Sequence, residues 1–469
     1  MRHSNFSFFF LLLAAIGSGM TSCRKFVEIP PAKNTVTTSA VFTDSANATA
    51  AILGMYIGFM SSAGAGYPLN GLTTIYMGLA ADELYATNQD ISNQQFYQNS
   101  VSATNGYTGF WYLNYRVIYQ ANASIEGLAG STGISKPAKD QLTGEAKLMR
   151  AICYFNMVNL FGDVPLVTGT NFEKNAIIPR TPKNTVYDQI IKDLKDAASV
   201  MSAVYITEGR VRPNKYAALA LLSRVYLYRQ QWPEAEAAAS AVIDGGGYGL
   251  EPDLNNVFLA KSNEVIWQLL SVIPGYNSPE GNSFIPFDAT LIPTYCISNY
   301  LLHAFEPGDQ RKAKWLNSNL VNGQTYYYPY KYKLRKGGAG APTEDYIVFR
   351  LGEQYLIRAE ARAQQDNVTG ANSAVSDLDA IRNRAGLSGT AAANKQDMLQ
   401  AILHERQTEF FCEWGHRWYD LKRMGNVDAV MNVVTPAKGG IWSTNRQLLP
   451  VPYEELQKNA FLIQNPGYN

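Results

Sequence analysis

Long apolar runs are nearly absent from this sequence. Outside residues 6–16, no stretch approaches the about 18 consecutive apolar residues that a membrane-spanning helix needs, so nothing beyond the N-terminus reads as crossing a bilayer. Cysteine is scarce. Cys153, Cys296 and Cys412 stand singly behind an N-terminal Cys23, with no Cys-x-x-Cys and no Cys/His group at metal-ligand spacing. Cys153 and Cys412 sit in helical apolar contexts and read as buried free thiols rather than a disulfide framework. Charge is sparse and balanced: Asp, Glu, Lys and Arg make up 17% of residues, and the net charge is +1, which leaves no electrostatic case for nucleic acid. Neither a Gly-x-Ser-x-Gly elbow nor a phosphate-cradling glycine loop is present, and no motif calls for a cofactor.

What the sequence does hold is aromatic. Its 29 Tyr and 7 Trp bring aromatics to 12%. Tyr carries a hydroxyl that needs a partner when buried, so an excess suits wet, flat contact surfaces for sugars or a protein. Large helices packing many tyrosines would give the same composition.

Residues 1–22 read as a secretory signal: Arg2 and His3, the apolar run 6–16, then small residues up to Cys23. Met20-Thr21-Ser22-Cys23 is a relaxed lipobox, which makes Cys23 the expected lipidation site and a membrane anchor that does not span. An acidic run after the cysteine is missing; Arg24 and Lys25 stand there instead.

Residues 24–45 read as extended. Apolar residues at helical spacing then predict helices over 46–60, 72–85, 111–128, 138–161 and 185–201, the first capped by Asp44 or Ser45 and the last by Asn184 or Thr185. Residues 86–109, rich in Asn, Gln, Ser and Gly, read as a loop with scattered aromatics. Residues 213–243 form the clearest unit, two helices joined at Arg229–Pro233, with Leu222, Ser223 and Tyr226 facing Ala235 and Ala239. Looser pairs fall at 112–160 and 349–385. The fold expected is predominantly all-α, a tetratricopeptide-like scaffold of helical pairs with long irregular aromatic-rich insertions and few short strands. One such strand is 265–270, in the irregular stretch 250–345 crowded with Tyr276, Phe284, Phe287, Tyr295, Trp315, Tyr326, Tyr327, Tyr328 and Tyr330.

In the stretch ERQTEFFCEWGHRWYDLKR, residues 405–423, Glu405, Glu409 and Glu413 recur at four-residue spacing. Gly415 is the expected helix stop. Arg406, Arg417, Lys422 and Arg423 lie at spacings that would pair with Glu409, Glu413 and Asp420. The pattern reads as an ion-pair knot locking two helices rather than a catalytic cluster. A metal site on His404 and His416 is rejected because no histidine pair four residues apart exists.

The same stretch resembles the signature of the SusD/RagB family of Bacteroidetes outer-membrane lipoproteins, with Trp414 departing from the small or charged residue usual before the glycine. LLPVPYEELQKNAFLIQNPGYN at the C-terminal end and EAKLMRAICYFNMVNLFGDVPLV at 145–167 resemble two further family stretches. The resemblance implies a tetratricopeptide-like fold and a division into 23–249, the N-terminal helical region, and 250–469, the C-terminal region with its insertion. It also implies a non-catalytic surface lipoprotein that captures glycan and passes it to a SusC-type TonB-dependent transporter, some members taking peptide instead. The family's site lies on a surface built from the N-terminal aromatic loop and the irregular middle. By loop context this points to Tyr85, Tyr97, Tyr107, Tyr276, Tyr295 and Trp315, expected to be exposed and near one another. The alternatives are a protein-binding scaffold or a glycoside hydrolase, for which Asp82/Glu83, Glu344/Asp345 and Glu405/Glu409 are the available carboxylate pairs.

Overall fold

The computed structural model describes residues 38–62, 64, 66–104, 109–337 and 342–468. The expected signal segment, Cys23 and Tyr107 lie outside the described residues. Helices dominate: α1 (Ser45–Met60), α2 (Thr73–Ala80), α3 (Ile91–Tyr97), α4 (Gly109–Gly130), α5 (Lys136–Phe161), α6 (Lys183–Val200), α7 (Lys215–Tyr228) and α8 (Trp232–Gly245) form the first half. The second half holds α9 (Leu351–Gln364), α10 (Ala374–Arg384), α11 (Lys395–Glu409), α12 (His416–Arg423) and α13 (Val427–Ala437).

Each long helix buries the apolar stripe that its sequence spacing predicts. α5 is the innermost of the first half, packed between α4 and α6, with Leu142, Met149, Cys153 and Leu160 enclosed. Burying these rings and aliphatic chains supplies the driving force, roughly 25 cal/mol per Å² of apolar surface. Polar side chains inside then set which helix meets which. Arg150 of α5 grips Asp193 of α6 at 2.8 and 2.6 Å and Asn122 of α4 at 2.7 Å. Arg224 of α7 grips Glu353 of α9 through two 2.6 Å bonds. Arg358 of α9 holds Asp377 of α10 at 2.9 and 2.7 Å. Ser223 does not spend its hydroxyl on α8; it bonds Gln354 of α9 at 2.7 Å. One large apolar core runs from Phe42 to Val451, and a smaller one centres on Leu356, Leu378 and Ile402.

Several elements differ from the sequence reading. Thr38–Val41 is a helical turn inside the stretch expected to be extended. The helix expected over 72–85 ends at Ala80, because Ala81 turns to φ −75°, ψ −154° and the chain enters strand β1 (Leu84–Ala86). The loop expected over 86–109 contains α3, started by Asp90, whose carboxylate accepts from Asn93 N at 2.9 Å, and pinned by buried Phe96. α6 begins two residues early, with Pro182 in the capping position. Strand β2 (Val265–Leu269) is where expected, but five others join it: β1, β3 (Tyr295–Ile297), β4 (Leu316–Val321), β5 (Gln324–Pro329) and β6 (Tyr346–Arg350). They form three two-stranded antiparallel ribbons, β1–β3, β2–β6 and β4–β5. The β4–β5 hairpin turns on Asn322-Gly323 at φ 52° and 79°, an Asn-Gly signal legible in the sequence.

The ion-pair knot exists, but its partners come from afar rather than from helix spacing. Arg311 donates to Glu405 at 2.6 Å and Glu409 at 3.0 Å; Arg350 bonds Glu409 at 2.6 Å and Glu413 twice at 2.8 Å; Arg384 and Lys331 complete the shell on Glu409 and Glu413. Arg406 and Arg423 do reach Asp420, at 2.8 and 2.7 Å, whereas Arg417 takes Asp82 and Lys422 bonds the Asn159 carbonyl. The helix stop is Phe410, not Gly415. Gly415, at φ 73°, begins α12, and a Cβ there would lie 2.8 Å from Met77 Cβ. Trp414 is held at φ 50° by its amide on Thr74 Oγ1 (2.8 Å), its indole on Ile347 O (2.9 Å) and a stacked Tyr346.

Candidate binding face

β1 and β3 join distant parts of the chain. Their pairing sets Tyr85 opposite Cys296 and Ala86 opposite Tyr295, while Leu84 and Ile297 turn inward to the core. α3 lies beside β1. Phe96 stacks on Tyr76 at 4.2 Å and faces the core, which leaves neighbouring Tyr97 half-buried with Lys438 Nζ 5.0 Å from its ring centre. Tyr295 donates to Asn93 Oδ1 of α3 at 3.4 Å and meets Phe284 edge-on. Burial and the adjacent Cys296, Tyr326 and Tyr97 push the Tyr85 hydroxyl well above its usual range. Burial and Tyr300 do the same, less strongly, for Tyr97.

The rim of this face is open. Tyr300 is 40% exposed, Leu320 on the hairpin 69%, and Phe287 77% with the Arg335 guanidinium 5.5 Å from its ring. Buried Asn319 ties the 288–291 loop to the hairpin, donating to Asp288 O at 3.1 Å and Leu291 O at 2.7 Å. Half-buried rings flanked by Asn88, Asp90 and Gln94 are the kind of surface that can meet the apolar faces of a pyranose while polar side chains reach its hydroxyls.

The carboxylate pairs are committed elsewhere. Asp82 is clamped by Arg417 at 2.8 and 2.7 Å, and Glu83, pushed up to about 8 by burial and by Asp82, accepts from Cys412 N. Glu344 accepts from the amides of Lys333 and Leu334; burial raises it and Asp345 to about 7. Glu405 and Glu409 are fully enclosed in the knot.

Two family models match this chain. One, described as starch-binding associating with outer membrane, spans residues 33–227; the other, described as the SusD family, spans 287–468. The chain belongs to the SusD/RagB family. Two SusD-like proteins of Formosa agariphila are 26% and 28% identical to it, over 82% and 100% of both chains. The starch-binding protein SusD of Bacteroides thetaiotaomicron is 30% identical over 132 residues, 27% of this chain and 22% of that one. Among solved structures, a laminarin-binding SusD-like protein superposes with TM-score 0.73 at 24% identity, over 90% of this chain and 99% of that one. A SusD superfamily protein of Bacteroides thetaiotaomicron gives 0.77 at 24%, over 90% and 100%. These structures establish the fold.

On this SusD/RagB fold the six expected ligand residues divide. Tyr85, Tyr97 and Tyr295 come together, each half-buried rather than open. Tyr276 is on another loop, with Lys336 Nζ 5.3 Å from its ring centre, and makes no hydrogen bond or ring contact with those three among the described residues. Trp315 contradicts its expectation: it is 0% exposed, with its indole donating to Leu254 O at 2.9 Å and its ring among Phe258, Phe411 and Lys331. It is a core ring, because the irregular insertion packs over a subsidiary apolar floor. Sequence reasoning missed Tyr300, and placed Tyr326 only in the general crowd. The Asn-Gly turn that aims the hairpin was the signal for the latter.

Proposed function

We propose that this protein is a non-catalytic glycan-capturing lipoprotein, anchored to the outer membrane through Cys23, that delivers oligosaccharide to a SusC-type TonB-dependent transporter. The observation that carries it is the β1–β3 pairing, which assembles Tyr85, Tyr97, Tyr295, Tyr300 and Tyr326 from segments about two hundred residues apart into one face. The starch-binding description of the family and the starch- and laminarin-binding names of relatives support the same ligand class. No helix of the described residues is long and apolar enough to cross a membrane, in keeping with an anchor at Cys23. We retain residues 23–249 and 250–469 as its two sequence regions.

The test is affinity electrophoresis of the purified protein through gels containing soluble polysaccharides. Retardation by one glycan, weakened by Tyr300→Ala, supports capture and names the ligand class. Shortening of that glycan during incubation would overturn the non-catalytic reading. Retardation by none would turn the reading toward peptide capture.

A further inference from the structure

On a side of the molecule formed by other elements lies a polar cavity of about 790 Å³. The end of α5, the start of α6, the end of α7, the last turn of α12 and the C-terminal tail wall it. Cations gather there with few counter-charges. Arg423 is neutralised by Glu360 and Asp420, and Arg229 is loosely paired with Asp188 at 3.6 Å. Lys183 and Lys422 remain, facing one lining carboxylate, Asp163, whose Oδ1 already accepts from the Lys183 amide at 2.8 Å. Arg180 forms the floor, its guanidinium bonded to Asp163 O, Phe161 O, Ile463 O and Asn465 Oδ1 at 2.6–2.9 Å, every partner a neutral oxygen. Among the described residues, Lys422 has only the Asn159 carbonyl and the nearby Trp418 and Tyr419 rings. Tyr228 also lines the cavity, while its hydroxyl is turned away from solvent toward Asp420, Arg423 and Arg406. The first turn of α6, through Lys183 and Asn184, borders the cavity and brings the positive end of its dipole there. A half-buried lysine with no counter-charge against it carries a desolvation cost that an anion would offset.

We propose that this cavity is a second binding site, which takes a small oxyanion: the sulfate or carboxylate group of an acidic sugar, or the free anion. Lys422 and Lys183 supply charge, with the loosely paired Arg229 beside them. Burial and the nearby Lys183 bring the Lys422 ammonium down to about 7. Lys183, Arg180, Arg229, Arg423, Asp163, Tyr187, Tyr228 and Tyr419 are the titratable and charged groups facing it among the described residues. An anion favours its protonated form, so binding takes up a proton and weakens as pH rises through 7.

The proposal is independent of the aromatic face. Its test is calorimetric titration of the purified protein with sodium sulfate, sodium glucuronate and glucose at constant ionic strength, at pH 6 and pH 8. Sulfate and glucuronate keep their charge across that range. The expected result is anion binding about tenfold tighter at pH 6 than at pH 8, with no heat from glucose. Lys422→Met should abolish the pH dependence, and exposed Lys183→Ala should weaken binding at least threefold with the fold intact. Glucuronate binding tighter than sulfate identifies an acidic sugar as the source, and equal or better sulfate binding identifies the free anion. No anion heat above that of sodium chloride, or Lys183→Ala and Lys422→Met binding as the parent does, overturns the proposal.

Discussion

Around Glu409 the chain encloses charge: the guanidiniums of Arg311, Arg350, Arg382 and Arg384 and the Lys331 ammonium meet Glu405, Glu409 and Glu413 away from solvent. Around Tyr97 it does the reverse and leaves rings half open at the surface. The two regions share a border. Asp82 and Glu83, which reach Arg417 and the Cys412 amide, immediately precede β1, and Ser298 after β3 bonds back to the carbonyls of both. The strand pair that presents Tyr85 and Tyr295 is therefore bolted to the charged core. Buried ion pairs add little net stability against an apolar replacement, but removing one partner leaves the other uncompensated, so they fix one geometry and punish alternatives.

The sharpest way to break the comparison is Arg350→Met. It strands Glu409 and Glu413 in a shell built around that guanidinium, and should cost about 3–5 kcal/mol in urea unfolding, or prevent folding. A loss under 1 kcal/mol would mean that water or rearrangement replaces the guanidinium and that the knot does not define the core. Trp315→Ala comes next. As a core ring it should cost about 3–5 kcal/mol of stability while any folded fraction binds glycan as the parent does; selective loss of binding with unchanged stability would return Trp315 to the site.

The border also has a pH signature. Burial pushes Glu280, which accepts from the Tyr346 hydroxyl at 3.1 Å, up to about 8, and Glu83 likewise. A raised carboxyl keeps its proton in the folded state where the unfolded chain has lost it, so stability falls as pH rises from about 4.5 to 8. Glu409, held well below the usual carboxylate range despite burial by Arg384, Arg350 and Arg311, works oppositely and loses stability as pH falls below about 4.5. Lys438, brought down to about 7 by burial, recovers stability only above that pH. Glu280→Gln should therefore gain on the parent steadily between pH 5 and pH 8, followed by thermal unfolding. A constant offset across that range would show Glu280 ionised throughout.

The same contrast explains what could be read from the chain alone. The long helices were legible because each buries one stripe and the spacing of Leu, Ile and Ala records it. The knot was legible as carboxylates at four-residue spacing; its true partners, Arg311, Arg350 and Arg384, were not, because contacts between segments 25 to 98 residues apart leave no local trace. The helix expected over 72–85 overruns into β1 because Ile75 and Leu79 set a helical stripe and no glycine or proline stands between Ala80 and Tyr85. The chain nevertheless turns at Ala81, just before buried Asp82 and Glu83. Trp315 was misplaced for a related reason. Irregular sequence suggested exposure, yet Phe258 and Phe411 build a floor beneath it. Conversely, Tyr85, Tyr97 and Tyr295 converge only through strand pairing, so loop context found their neighbourhood without finding Tyr300.

The smallest expected effect is also the most specific. Tyr97 rests on α3, whose position is set by Phe96 on Tyr76 and by the Asp90 cap rather than by Tyr97 itself. Truncating Tyr97 to Ala should therefore leave unfolding within about 1 kcal/mol of the parent. An aromatic contact with a ligand is worth about 1 kcal/mol, so glycan affinity should fall roughly fivefold. Arg417→Met supplies the contrast: it frees Asp82 under β1 and should lower affinity and stability together. If Tyr97→Ala lowers stability as Arg417→Met does, the ring belongs to the border's packing. If it lowers affinity alone, the open side of the comparison is a binding surface and the charged side its foundation.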